Sequence, residues 1–236
     1  MSDVREPKAE SRKPMKAISD VRDEFDAIAR AGAERPDPPG LYDDFVLSVV
    51  PNESASVLEI GCGTGCFTRR LARRARRVTA IDVSPEMVAI ARRRAAAANI
   101  EYHVGDLFDM ASGLGTFDCV VTLQTFHHLP AEAGAECLKW CVAPGGLLIL
   151  HDLWRVETMA DRCLDVARLA FKALRLLAMR APLRHSPGER AAWAAHARDD
   201  VHPTMSDVDA LQRRHFPGAA VHRHLLWRYT LVWRNG

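Results

Sequence analysis

The run Val57-Leu58-Glu59-Ile60-Gly61-Cys62-Gly63-Thr64-Gly65 constrains the fold more than any other stretch of this chain. β-Favouring apolar residues bracket an acid, and three glycines then alternate with small residues. That order describes a buried parallel strand breaking into a tight loop before a helix. Glycines allow positive φ and leave no side chains between the loop and a ligand. The helix expected over residues 67–77 aims its positive end at the same place. The guest to expect is a small molecule with an anionic or strongly polar end.

The glycine spacing narrows the guest. A dinucleotide fingerprint, G-x-G-x-x-G, laid on Gly61 and Gly63 needs glycine where Cys66 stands. The chain instead reads E-x-G-x-G-x-G. This resembles motif I of the class I S-adenosylmethionine-dependent methyltransferases, whose loop wraps the methionine part of the cofactor. An ordinary glycine-rich turn is the competing reading of the triplet alone.

Later segments follow in the matching order. Arg77 to Asp82 reads as a second buried strand ending in an acid, about twenty residues past the loop, where doubly wound folds place a carboxylate on ribose hydroxyls. Ser84 and Pro85 then start a helix as N-cap and first residue. Ile100 to Leu107 is a third strand ending at Asp106, Phe117 to Gln124 a fourth, and Pro144 to Asp152 a fifth fed by a proline-glycine-glycine turn. Residues 219–225 and 227–234 resemble the antiparallel pair that closes the sheet in this family. The expected fold is α/β, a doubly wound Rossmann-like seven-stranded sheet with that C-terminal pair and a helical lid inserted after strand five.

The resemblance carries residue roles with it. Glu59, Gly61, Cys62, Gly63 and Gly65 would surround the methionine half of S-adenosyl-L-methionine. Asp82 would take the ribose and Asp106 the adenine amino group, with Leu107 on the adenine face. Val83, Met87 and Gln124 complete the expected cofactor lining, although a methionine at helical spacing is also ordinary core.

Composition sets outer bounds. A chain of 236 residues suits one α/β domain, and a formal charge of +2 gives no global basic field for nucleic acid or membrane. The charged N-terminus lacks a signal peptide's apolar core, and no apolar run reaches the roughly 20 residues of a bilayer span. Six cysteines without a C-x-x-C fit reduced thiols in the cytoplasm. Residues 1–18 read as a disordered polar tail and 19–236 as a single domain. Within it, 19–50 are N-terminal helices, the first with Val21, Phe25, Ile28 and Ala29 on one face, and 153–204 form the insertion. A long helix over 156–179 and a second over 189–198 are expected there, as a lid, as a homodimer interface or as a membrane-surface element.

Ten histidines is a high number for this length. His127 and His128 follow strand four, and His151 ends strand five, at the edge where such sheets bind ligands. Histidine removes protons near neutral pH, so His127 and His151 are the candidate bases, with His127 expected to look into the pocket. Tyr42, Phe126, His128, Trp154 and His196 are the candidate residues around the acceptor. Some quinone O-methyltransferases carry metal ligands here as E-x-x-E-H; the corresponding Gln124, His127 and His128 lack the carboxylates, and no metal is expected.

Methyl transfer to a small, largely apolar or aromatic acceptor, at oxygen, is therefore expected. A nucleic-acid (RNA) base methyltransferase is an alternative kept open by the basic helix around Arg168, although no proline pair follows strand four to clamp a flipped base. A protein of this fold that binds the cofactor without methylating is another.

Overall fold

The structure, a computed structural model, describes residues 16–33, 39–94, 97–156 and 186–236. Seven strands form one sheet: β1 (Ser54–Ile60), β2 (Ala75–Asp82), β3 (Ile100–Val104), β4 (Phe117–Leu123), β5 (Val142–Leu153), β6 (Ala220–His224) and β7 (Arg228–Arg234). Their order is β3-β2-β1-β4-β5-β7-β6. The first five are mutually parallel, and β7 runs antiparallel to both β5 and β6. The direction of winding reverses between β1 and β4, and that switch point opens the crevice where doubly wound sheets bind ligands.

Around the sheet lie α1 (Ile18–Gly32), α2 (Asp43–Val49), α3 (Cys66–Leu71), α4 (Pro85–Arg94), α5 (Leu107–Leu114), α6 (Ala131–Cys141), α7 (Pro187–Arg198) and α8 (Met205–His215). The central strands are covered on both faces, so they read as apolar runs rather than alternations. Leu58, Ile60, Leu148 and Leu150 face one core with Leu138 and Phe216. Their neighbours Val57 and Ile149 face the other, with Val46, Phe67 and Leu71. Among the described residues no helix is long and apolar enough to cross a membrane.

Local chemistry sets several of the boundaries. Ser84 caps α4 as expected, its Oγ accepting from the Met87 N–H at 3.0 Å. Asp106 caps α5, accepting from Phe108 N–H at 3.0 Å. Thr204 and Asp207 form a reciprocal capping box on α8.

The helix expected over 67–77 stops at Leu71. Its arginine-rich continuation favours helix locally, but Ala75 to Ile81 pair in register with Ser54 to Ile60. The Asn99 side chain pins the intervening turn by donating to the carbonyls of Ala72 (2.8 Å) and Ala75 (3.0 Å). The expected helix over 156–179 lies outside the described residues, apart from Val156. The second helix of the insertion is present as α7 and packs beside α1.

Candidate active site

A cavity of about 290 Å³ opens over the carboxyl ends of β1, β2 and β4. Each βα turn at that edge contributes to it: Gly61, Gly63 and Thr64 after β1, Asp82 and Val83 after β2, Gly105 to Leu107 after β3, and Gln124 and Thr125 after β4. Met87 and Ile90 of α4 line one side. The cover is apolar and comes from outside the sheet, with Ile18, Val21, Phe25 and Ile28 of α1 and Trp193 of α7.

The loop after β1 is held in one conformation. Gly61 has φ +74°, and a Cβ there would sit 2.0 Å from Thr125 Oγ1, so no other residue fits. Gly63 has φ +52° and a Cβ there would meet nothing within 4 Å, so its bare backbone faces open cavity. Asp82 ties this loop to the next one. Its Oδ2 accepts from Gly63 N–H at 2.8 Å and its Oδ1 from Ser84 N–H at 2.9 Å. Burial raises the Asp82 carboxyl above its ordinary value. Beneath the loop, burial pushes Glu59 up to about 8, so it is mostly a neutral acid at pH 7.

Of the residues singled out from sequence, Gly61, Gly63, Asp82, Val83, Met87, Asp106, Leu107, Gln124 and His128 line this cavity together. Gln124 does so at φ +52°, a strained position for a side-chain-bearing residue. Its N–H donates to the His151 carbonyl at 2.7 Å.

The others lie off the wall, each for a visible reason. Glu59 is 2% exposed behind the loop. Cys62 turns into an apolar cluster with Ala80, Val88, Ala91 and Tyr102, and Gly65 is backed by the Tyr102 hydroxyl. Phe126 and Trp154 are buried in the main core. Tyr42 stacks on His224 with ring centres 4.4 Å apart and donates to the Leu225 carbonyl. His151 is buried against the Thr230 hydroxyl at 2.8 Å. Burial, with His224 and Arg228 nearby, lowers its pKa to about 4. His196 lies 2.8 Å from Glu24, its ring beside Phe25.

Of the two adjacent histidines, both expected at the acceptor, only His128 lines the cavity. Asp152, at the end of β5, accepts both the backbone N–H of His127 at 2.9 Å and its ring Nδ1 at 2.6 Å. Those bonds draw His127 inward, and His128 is left on the cavity wall. Burial alone would lower the His127 pKa, but the Asp152 charge and hydrogen bond, with Asp200 on the other side, raise it to about 10. An imidazolium has no lone pair to take a proton, so this arrangement does not suit His127 to a base role. Burial and the neighbouring His127 charge lower His128 to about 3, leaving it neutral and able to accept a hydrogen bond.

Two groups of residues were not named as site residues from the sequence. The α1 side chains on the wall were visible as an apolar stripe, but nothing local said which element the stripe covers. Asp200, close to four imidazoles, sits in a segment with no motif, and only the tertiary fold brings it to strand four.

A family model described as a methyltransferase domain matches residues 57–146. The chain is 31% identical over 161 residues to a ubiquinone biosynthesis O-methyltransferase of Xylella fastidiosa, covering 65% of this chain and 64% of the relative. It is 34% identical over 167 residues to the protein of that name from Xanthomonas oryzae pv. oryzae, covering 65% and 66%. The chain thus spans somewhat less than two thirds of the length of these curated relatives. Among solved structures, magnesium protoporphyrin IX methyltransferase from Synechocystis PCC 6803, described with bound SAH, superposes with a TM-score of 0.57 at 18% identity, over 93% of this chain and 99% of that one. The matched segment begins in β1 and ends in β5, the same strands whose turns build the crevice, and the chain belongs to the class I S-adenosylmethionine-dependent methyltransferases.

Proposed function

We propose that this chain transfers the methyl group of S-adenosylmethionine to an oxygen of a small, largely apolar or aromatic acceptor. The observation that carries the proposal is a single cavity with two unlike sides. One side holds the bare Gly63 backbone, Asp82 and Asp106; the other is apolar, from Phe25, Ile28 and Trp193. A polar cofactor and an apolar acceptor fit that division. The relatives' name, ubiquinone biosynthesis O-methyltransferase, supports oxygen as the nucleophile.

The bound cofactor supplies an electrophilic methyl on a sulfonium, and the chain's own residues do the rest. Asp82 holds the ribose and Asp106, with Leu107, the adenine. The loop from Gly61 to Gly65 receives the methionine end above the neutral Glu59. Helices α1 and α7 close over the reacting atoms, excluding water and orienting the acceptor. His128, on the cavity wall with a neutral ring, hydrogen-bonds the acceptor oxygen and turns it toward the methyl. His127, held by Asp152, keeps the turn after β4 in place.

The test incubates untagged protein with deuteromethyl-labelled S-adenosylmethionine and parallel panels of phenols, amines and RNA, read by mass spectrometry. Labelled methyl ethers of phenols are expected. Labelled amines or nucleotides in place of ethers would refute the oxygen assignment. Tight SAH binding with no labelled product from any panel would favour the reading in which the fold binds cofactor without methylating.

A further inference from the structure

Four imidazoles converge on one carboxylate beside the cavity. Asp200 Oδ2 lies 3.4 Å from His127 Nε2, 3.6 Å from His196 Nε2 and 3.7 Å from His202 Nε2; Asp200 Oδ1 lies 3.6 Å from His128 Nδ1. All four separations exceed the roughly 2.7–2.9 Å of a charge-assisted hydrogen bond. They are close to the edge of a tetrahedron with metal–ligand bonds of about 2.0–2.1 Å, which is about 3.3–3.4 Å. His127 Nε2 is buried and has no hydrogen-bond partner among the described residues, and the His127 side chain is 2% exposed. Ligand atoms of His127, His128 and Asp200 all lie within 4.8 Å of one another, close enough to share an ion.

The outer contacts are those a metal-bound histidine needs. A ligating imidazole is fixed by giving its other nitrogen to a carboxylate, which also sets its tautomer. His127 gives Nδ1 to Asp152 at 2.6 Å, and His196 has Nδ1 at 2.8 Å from Glu24. Asp152 is in turn held by the His127 and Leu153 N–H groups, at 2.9 and 2.7 Å. The ring of His127 is thereby oriented with Nε2 toward Asp200. Hydrogen bonding alone gives a weaker account, because one proton between His127 and Asp200 leaves His128, His196 and His202 crowded around the same carboxylate without short bonds to it.

We propose that His127 Nε2, His128 Nδ1 and the Asp200 carboxylate bind a divalent first-row transition metal, which displaces the proton on His127 Nε2, with water completing a four-coordinate shell. Imidazole-rich sets with one carboxylate suit zinc, cobalt or nickel better than magnesium, which prefers oxygen. This departs from the expectation of no metal, which rested on the missing carboxylates near Gln124. Here the carboxylate arrives instead from the far side of the insertion.

The experiment needs no methyl acceptor, so its outcome is independent of the proposed reaction. Untagged full-length protein is stripped with chelator and titrated with Zn²⁺ by calorimetry and with Co²⁺ by visible absorption. Saturation at one ion per chain with a four-coordinate cobalt spectrum is expected. Asp200→Asn and His128→Ala should each weaken Zn²⁺ binding at least 10-fold, and Asp152→Asn about 10–100-fold through the orientation of His127. His103→Ala, on β3 remote from the cluster, should leave it unchanged. Should a variant fail to fold by circular dichroism, X-ray absorption at the zinc edge of the unsubstituted protein decides, with two or more imidazoles at about 2.0–2.1 Å expected. No binding, binding equal in Asp200→Asn and the unsubstituted protein, or an all-oxygen shell would each overturn the site.

Discussion

Asp82 sits where two loops meet, and its two oxygens are already engaged by Gly63 and Ser84 N–H groups. From sequence it read as a ribose acceptor. Its bonds to both loops predict a double effect. Asp82→Ala should weaken SAH binding by about 1.5–3 kcal/mol, the range for losing a charged acceptor, and should also lower the melting temperature. Asp82→Asn keeps a carbonyl for one loop and should recover most of the stability but not the affinity. Calorimetric titration with SAH beside thermal melts separates the two, and an Asn variant with full affinity would confine Asp82 to the loop. His151 gives a second prediction, on pH. Its folded pKa of about 4 lies below the roughly 6.5 of an unfolded histidine, so the folded state favours the neutral ring. The stability this contributes is complete above about pH 6.5 and is lost as pH falls toward 4, up to about 3 kcal/mol. His151→Asn should flatten the melting temperature between pH 7 and 4 relative to the native chain. An unchanged acid slope would place the sensitive group elsewhere. The glycines and acids of the loops were legible because each answers to a local demand, a positive φ or a strand end. The roles of His127 and His128 were not, because one carboxylate from β5 decides which ring turns inward.

Among the elements, the strands were legible to within a few residues, since burial on both faces writes them as apolar runs. Helix α3 was overcalled because helix propensity in the Arg69–Arg77 run says nothing of the partner strand that claims Ala75 onward. Helix α7 shows what an element can add that no motif records. Its Trp193 is 40% exposed yet lines the cavity, with its ring edge toward His196 at 5.8 Å. A half-exposed tryptophan on a covering helix is suited to hold an apolar acceptor. Trp193→Ala keeps a strong helix former in place and should raise KM for the acceptor about 10-fold, a typical cost of losing such an anchor. The SAH affinity should stay within about 3-fold, because the polar groups assigned to the cofactor, Gly63, Asp82 and Asp106, lie at the sheet edge. Equal losses for both ligands would instead make α7 part of the cofactor site.

For the whole molecule, the doubly wound sheet followed from five strand signals in sequence and a helical lid was expected over 153–204, while the meeting of α1 with α7 had no sequence signal. The cover joins α1, near the start of the chain, to α7, after the insertion, through a cluster in which Ile28 and Ala29 meet Met87 and Ile90 of α4, with Ala192 beside them. No short-range pattern links elements so far apart. Lys16 strengthens the junction, reaching Glu24 at 2.7 Å while Glu24 engages His196. A ligand in the cavity touches the β-edge loops and both covering helices at once, so it should couple them. SAH at 100 times its dissociation constant should stabilise the folded chain by about 2.7 kcal/mol, a rise of roughly 5–10 °C in melting temperature for a domain of this size. Amide exchange should slow in residues 18–32 and 187–198 as well as in the loop at 61–65. Both helices are thin layers over the cavity rather than parts of the main core, and such layers open locally at the lowest free energy. Protection limited to the loop, with the helices exchanging as before, would mean that α1 and α7 do not close over the cofactor. Water would then reach the reacting atoms, and the covering role given to these helices would fail.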